Sequence, residues 1–418
     1  MIQRGHPEDI IVGLDVGTTK ICAVVGEVVS GTLAFRGMHI SPSQGMRKGA
    51  IVNTEETVQS IRKVLMETES SLGVEINSVY VSISGAHIKG AHTIGARGVG
   101  GREVTYADVD KVLDSAKALY VPLDRELLHI VPAGYSIDGQ NGIKDPVGMI
   151  GERLEAKVYA VTAAVTSMQN LLRCCEKAGV EVADMVFGPL ASAEAILTND
   201  ERELGAAVVD IGGGTTDVIF YKDGWPSHAF VLAIGGNHFT NDIAVGLKIP
   251  VTEAERIKKC CGSAGTHTVG ESEKIPVVQG GQEKMVLRRH LAEILQARTD
   301  EFLELLRGEF LSCSGHDIAS TGVVLTGGGA LLEGLSRTAE SAWGLPVRVG
   351  GPMNIHGVQD MLNNPMCSAG AGLVLYGFEA ASERVYSTDA VRGVFGKMKE
   401  WIKEIFKIKK GGIEYVRN

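Results

Sequence analysis

The chain has 418 residues, with 41 Lys and Arg against 50 Asp and Glu, a formal net charge of −9, 44% hydrophobic residues and only 5% aromatic ones. That length exceeds what one hydrophobic core serves, so two or more domains are expected. The acidic balance argues against broad nucleic-acid binding, because no chain-wide basic field is present to neutralise phosphates.

The elements follow in order along the chain. Ile10–Asp15 reads as a strand, Gly17-Thr18-Thr19 as a tight turn, Ile21–Val25 as the return strand and Leu33–Ile40 as a third strand. Helical spacing of Val58, Ile61, Val64, Leu65 and Leu72 predicts a helix over Thr54–Leu72, followed by a strand at Val79–Ile83. The segment 85–163 differs in character: glycine-rich loops at Gly95–Gly101, a helix over Thr105–Leu119 and an alternating strand at Ala156–Val161, read as a subdomain inserted into the first domain. The opening pattern then recurs. Ala206–Asp210 is a strand, Gly212–Thr216 a turn, Val218–Tyr221 a strand and His228–Ala233 a further one, each copy placing an aspartate at the end of its first strand. This is an internal duplication of a supersecondary unit, and it predicts two related α/β domains facing one another. A second insertion, 241–319, reads as largely helical, with helices at Asn241–Val245, Thr252–Cys261 and Leu291–Phe310. Residues 381–393 are polar and without hydrophobic pattern, and read as a linker.

The seven cysteines lack any Cys-x-x-Cys spacing, which indicates neither a zinc nor a thioredoxin-type site and fits a reducing cytosol. The polar N-terminus carries no signal-peptide pattern, and no apolar run approaches the roughly 20 residues needed to cross a bilayer. The expectation is a cytoplasmic protein, peripheral to a membrane if attached to one. His87, His92 and His129 lack metal-ligand spacing and read as packing residues.

Three glycine turns carry the chemistry. In Asp15-Val16-Gly17-Thr18-Thr19-Lys20, a glycine hairpin lets backbone N–H groups approach a phosphate, the threonines add hydroxyl donors, and Asp15 would face a magnesium ion through water. In Asp210-Ile211-Gly212-Gly213-Gly214-Thr215-Thr216-Asp217, three consecutive glycines between apolar strands are explained by close backbone approach to a ligand. Asp210 is placed to hold magnesium-bound water or polarise an attacking water, whereas Asp217 reads as structural. The third, Thr326-Gly327-Gly328-Gly329-Ala330, follows the strand Val323–Leu325 and precedes a helix, a junction against which a base or ribose could lie. A Walker A loop and a Rossmann fingerprint at the first turn are both absent.

In this order the three motifs resemble the two phosphate loops and the adenosine motif of the actin, Hsp70 and sugar-kinase superfamily, over roughly residues 10–410. The resemblance implies two actin-like (RNase H-like) α/β domains around a nucleotide cleft, with ATP and Mg2+ as ligands. The first domain would comprise 8–84 and 164–205, with 85–163 inserted. The second would comprise 206–240 and 320–380, with the helical 241–319 inserted. It also implies that Glu255 and Lys258 flank the adenosine, although a solvated helix face explains the pair equally well. Where Hsp70-like members carry a water-positioning glutamate before a proline, this chain has Gly188-Pro189. Hydrolysis is therefore expected to be slow or absent, with nucleotide acting as an assembly switch.

The segment 394–410 narrows the resemblance. On a helical wheel Val394, Phe395, Met398, Trp401, Ile402, Ile405, Phe406 and Ile408 share one face, and Lys397, Lys399, Lys403, Lys407 and Lys410 lie on or beside the other. Residues 397–410 hold six lysines and two glutamates, net +4 in an acidic chain. An aromatic-rich apolar face opposite lysines is what an interfacial membrane helix requires, with Phe395, Met398, Lys399, Trp401, Ile402, Lys403, Ile405, Phe406 and Lys407 as its contacts. A terminal helix packed on the body is the alternative. Actin-like loops, the inserted subdomain and this tail together resemble the FtsA family of bacterial actins. That resemblance implies self-assembly into filaments through the first insertion, binding of the C-terminal tail of FtsZ by the second, contact with other division proteins, and attachment to the anionic inner face of the cytoplasmic membrane at the septum. Another membrane-associated actin-like scaffold, of pilus assembly or cell shape, stays open as an alternative, and behind it a small-metabolite kinase.

Overall fold

The computed structural model describes residues 10–117, 122–314, 322–353, 357 and 363–386. Strand β1 (Ile10–Val16) turns at Gly17–Thr19 into β2 (Lys20–Val29), which pairs antiparallel with β3 (Thr32–Pro42). A short hairpin (β4, Met46–Arg47; β5, Ala50–Ile51) leads to α1 (Thr54–Leu72). The Asn53 side chain caps α1 by accepting from the Glu55 and Glu56 amides, and Gly73 ends it at φ 66°. Between these ends Val58, Ile61, Val64 and Leu65 are buried, as their spacing predicts. Strand β6 (Ser78–Ile83) then lies parallel to β1.

The inserted segment forms its own four-stranded sheet: β7 (Lys89–Glu103), β8 (Arg125–Ile137), β9 (Gln140–Ile143) and β10 (Ile150–Ala164), in the order β7-β10-β8-β9, with α2 (Tyr106–Lys117) packed on it. Gly95–Gly101, read above as loops, lie inside β7. At Gly95 a Cβ would sit 2.0 Å from the Val112 carbonyl oxygen of α2, so glycine there serves close helix-on-strand packing. Only Gly100 and Gly101, both at positive φ, fall where the β7–β10 register slips.

After α3 (Val165–Ala178), β11 (Glu181–Phe187), α4 (Gly188–Ile196) and α5 (Asn199–Leu204), the opening unit repeats as β12 (Ala206–Ile211), β13 (Thr216–Lys222) and β14 (Trp225–Leu232). Helices α6 (Gly236–Leu247), α7 (Val251–Cys261) and α8 (Arg288–Ser314) follow, with an antiparallel hairpin of β15 (Lys274–Gln279) and β16 (Gln282–Leu287) before α8. This hairpin is the non-helical part of the insertion read above as largely helical. Strand β15 alternates buried Ile275 and Val277 with exposed neighbours before the Gly280-Gly281 turn, a period-2 pattern too short to stand out in sequence. Strand β17 (Val323–Thr326), α9 (Leu335–Trp343), β18 (Val347–Val349) and α10 (Ser368–Tyr386) complete the described chain.

The duplication is visible in the sheets. One runs β11-β6-β1-β2-β3 and the other β14-β13-β12-β17-β18. Each has three antiparallel strands joined to two parallel ones, meeting at the strand that carries the aspartate. Helix α10 runs on to Tyr386, so the backbone of 381–386 belongs to it and not to a linker. The predicted membrane helix, 394–410, lies outside the described residues. Among the described residues no helix is long and apolar enough to cross a membrane.

A tyrosine joins the insertion to the second sheet. Tyr159 of β10 donates its hydroxyl to the Ala229 carbonyl (3.0 Å) and accepts from the Ala229 amide (2.7 Å) on edge strand β14. Gly90 makes room for it, since a Cβ there would fall 1.7 Å from the hydroxyl oxygen. Tyr159→Phe leaves two buried backbone groups unpaired and is expected to lower stability by about 2 kcal/mol. The urea midpoint checks this, and an unchanged midpoint contradicts it.

Candidate functional site

The two repeated turns face each other. In the first, the Gly17 amide donates to the Lys20 carbonyl at 3.0 Å, and in the second the Gly212 amide donates to the Thr215 carbonyl at 2.9 Å, the same closure three residues on. Gly213 and Gly214 meet Thr19 and Thr18 across the gap. A Cβ on Gly213 would lie 2.4 Å from Thr19 Cγ2, and one on Gly214 would lie 2.6 Å from Thr18 Oγ1. The Gly236 and Asn237 amides at the start of α6 donate to the carbonyls of Gly212 and Gly213 at 2.9 and 2.8 Å, fixing the second turn from behind. Gly327, at φ 80°, passes beneath, where a Cβ would lie 2.3 Å from Asp210 Oδ1. The chain after β17 forms a 3₁₀ turn over Gly328–Leu331, and α9 begins only at Leu335, so the third glycine run abuts no α-helix N-terminus.

These turns line a cleft of about 790 Å³. Of the residues singled out in the sequence, Asp15, Gly17, Thr18, Thr19, Lys20, Asp210, Gly212, Gly213, Gly214, Thr215, Glu255, Lys258, Gly327, Gly328 and Gly329 all line it. Thr216 is the correction. It is the first residue of β13, fully buried, and its hydroxyl is spent on the Ile234 carbonyl at 2.8 Å. Asp217, read as structural, is buried and accepts from Thr215, and it also borders the cleft, consistent with the alternation of a strand. Glu255 and Lys258 do not form a solvated face. Lys258 Nζ binds Glu255 (2.6 Å), the Gly236 carbonyl (3.0 Å) and Thr240 Oγ1 (2.7 Å), and burial lowers its pKa against the opposing pull of Glu255.

The floor is negative. Asp15 Oδ2 pairs with Lys20 at 2.6 Å and Oδ1 accepts from Ser82 at 2.7 Å, while Asp210 Oδ2 accepts from Ser192 at 2.7 Å. Burial would lower the Lys20 pKa, but Asp15 outweighs it and holds the ammonium above its usual value. Burial and then Asp15 push Asp210 up to about 6, against the Ser192 hydrogen bond. Ser82 and Ser192 were not legible in the sequence, because isolated serines on apolar elements carry no pattern. Gly188 also reaches the cleft, and a Cβ there would fall 2.5 Å from Ser84 Oγ. His129 packs nearby: it is fully buried, its Nε2 accepts from the Phe187 amide at 2.8 Å, and burial pushes its pKa down to about 3.

Burial, followed by the charge of Asp210, pushes Asp217 up to about 8, while Thr215 Oγ1 opposes the shift with a 3.0 Å hydrogen bond. Between about pH 4 and 8 the folded chain therefore holds this proton more tightly than the unfolded one. Its contribution to stability is full at the acid end and falls as pH rises through that window. Asp217→Asn should gain stability relative to the parent between about pH 5 and pH 8.5. Paired thermal melts check this, and an offset independent of pH contradicts it.

Comparison with known proteins places this geometry. The family model described as Cell division protein FtsA matches residues 207–372, and that described as SHS2 domain inserted in FTSA matches residues 85–162. The chain is 40% identical to Cell division protein FtsA of Pseudomonas aeruginosa over 409 residues, covering 95% of this chain and 98% of that one. It is 37% identical to the Escherichia coli protein of the same description over 407 residues, covering 95% and 96%. Among solved structures, a PilM-PilN type IV pilus biogenesis complex aligns with a TM-score of 0.66 at 16% identity, covering 88% of this chain and 98% of that one. MreB5 of Spiroplasma citri bound to ADP aligns with a TM-score of 0.56 at 15% identity, covering 91% and 100%. At such identities the structural neighbours establish the actin-like fold alone, whereas full-length identity of 37–40% establishes the family. The chain belongs to the FtsA family of cell division proteins.

Proposed function

We propose that the chain binds ATP with Mg2+ in this cleft, assembles into filaments, and tethers the FtsZ ring to the inner face of the cytoplasmic membrane, with nucleotide as the assembly switch. The observation that carries the nucleotide reading is the pair of glycine turns facing across the cleft above a carboxylate floor. The backbone N–H groups of Thr18, Thr19, Gly213 and Gly214 are the phosphate donors, those of Gly17 and Gly212 closing the turns, and Lys20 supplies positive charge. A volume of about 790 Å³ suits a ligand of nucleotide size. Gly327–Gly329, Glu255 and Lys258 take the adenosine end. The MreB5 neighbours, which share the fold, are bound to ADP and to AMPPNP.

The charge of Asp15 raises the proton affinity of Asp210, against the opposing pull of Lys20, and Asp210 and Asp15 together raise that of Asp217, so a dication fits this floor. Magnesium needs only one or two carboxylates beside water and phosphate oxygens, and Asp15 and Asp210 are the residues placed to hold it. When bound, it would neutralise phosphate charge and keep Asp210 ionised. With Gly188 where a water-orienting carboxylate would stand, turnover is expected to stay below about one per second. Gly213→Ala drives a methyl group into Thr19 and should weaken nucleotide binding about 100-fold, read by fluorescence titration. Unchanged affinity would remove the facing turns from the account.

In this reading 8–84 with 164–205 and 206–240 with 320–380 are the two actin-like domains. The insertion 85–163 makes filament contacts, and 241–319 receives the FtsZ tail. The partner and the septal location rest on family membership. Membrane attachment rests on the +4 tail, 394–410, with its apolar face of Phe395, Met398, Trp401, Ile402, Ile405 and Phe406. Each lysine near an anionic leaflet contributes about 1 kcal/mol, so one tail binds reversibly and a filament of tails binds by effective concentration. The test is co-sedimentation with anionic liposomes and ATP. The full chain should pellet and a version ending at Arg392 should stay soluble. Two soluble proteins, or pelleting that survives truncation, would withdraw the tether.

A further inference from the structure

Helix α7 forms part of the rim of the cleft and ends on two consecutive cysteines, Cys260 and Cys261. Neighbouring residues of an α-helix ordinarily point about 100° apart. At this last turn the two Sγ atoms converge to 3.0 Å. Cys260 is exposed and lines the cleft, and Cys261 is half-buried. Two arginines lie beside the pair: Arg256 Nη1 is 3.9 Å from Cys260 Sγ and Arg288 Nε donates to the Cys261 carbonyl at 2.8 Å, each guanidinium also pairing with carboxylates. Exposure and cationic neighbours are what make a thiol reactive. The other adjacent pair, Cys174 and Cys175 of α3, is fully buried, so adjacency in sequence is not what makes the site.

A disulfide does not suit this geometry. Consecutive Cα atoms lie about 3.8 Å apart, short of the roughly 4.4–6.8 Å usual for bridged cysteines. Closing the bond would strain the end of α7, where the Gly262 amide donates to the Lys258 carbonyl at 3.1 Å. One soft atom bridging both sulfurs makes no such demand on the backbone.

We propose that Cys260 and Cys261 form a dithiol capture site for a single soft, thiophilic centre of the trivalent organoarsenical class, and that its occupation obstructs the cleft. The obstruction rests on the nucleotide reading above, whereas the capture does not. Cys260, the exposed sulfur beside Arg256, attacks arsenic first. Burial and the hydrogen bond to Cys260 hold the Cys261 thiol up at about 11, so it closes the ring second. For an arsine oxide, two S–H bonds and the arsenic–oxygen double bond are exchanged for two As–S bonds and one water. Both protons leave on that water, and no atom changes oxidation state.

The test uses the full chain and phenylarsine oxide, read by intact mass. The parent should take up one reagent with loss of one water, resist an excess of monothiol and be cleared by a dithiol. Cys260→Ser and Cys261→Ser, each still folded by circular dichroism, should both lose the monothiol-resistant adduct. An adduct that persists in either variant, or none in the parent, overturns the capture site. In the same samples the adduct should weaken binding of a fluorescent ATP analogue at least about tenfold, reversed by dithiol. Full affinity in the adduct overturns the obstruction, whereas an untreated parent that binds no nucleotide overturns the nucleotide reading and leaves the mass result standing.

Discussion

Two backbone turns in van der Waals contact set the geometry of this molecule. Gly213 and Gly214 can lie against Thr19 and Thr18 only because they have no Cβ, and that approach fixes how closely the two sheets come together. It places Asp15 and Asp210, one residue before the last of their strands, on one floor. The start of α6 is bonded to the second turn, so the helices of the second insertion, and with them Glu255 and Lys258, are positioned by the same contact.

Close approach without a Cβ recurs wherever the parts meet. Helix α10 lies against the first sheet and α4 through Gly13, Gly370 and Gly372, where a Cβ on Gly372 would fall 1.7 Å from the Ala191 carbonyl oxygen. Tyr376 of the same helix donates to buried Asp184 at 3.0 Å, adding a polar tie to β11. The insertion meets the second sheet at Tyr159, seated over Gly90. Chain-wide glycine content, which in composition alone indicates many turns, is thus partly a packing device. Overpacking such a contact forces backbone shifts that cost about 1–3 kcal/mol or more.

Much of this was legible in the sequence because it depended on local pattern. The span of α1 follows from its apolar spacing between Asn53 and Gly73, and the repeated Asp-x-Gly turns give both the duplication and the two facing edges of the cleft. What was missed depended on long-range contact. Gly95 reads as a loop until α2 is seen lying on it, and Ser82 and Ser192 acquire a role only when Asp15 and Asp210 are brought beside them. Thr216 turns away from the cleft because strand alternation, not motif membership, decides which of two neighbours faces it. The β15–β16 hairpin is held by its own short ladder and by Ile275 and Val277 against the second core, which composition does not announce.

The central claim is that the facing turns are a nucleotide cradle completed by a divalent cation. Calorimetric titration of the full chain with ATP, with and without Mg2+, tests it most directly. The account predicts saturable binding at one site per chain, strengthened by Mg2+ and competed by ADP. Absence of saturable heat up to about millimolar ATP, corresponding to less than about 4 kcal/mol of binding, would contradict it.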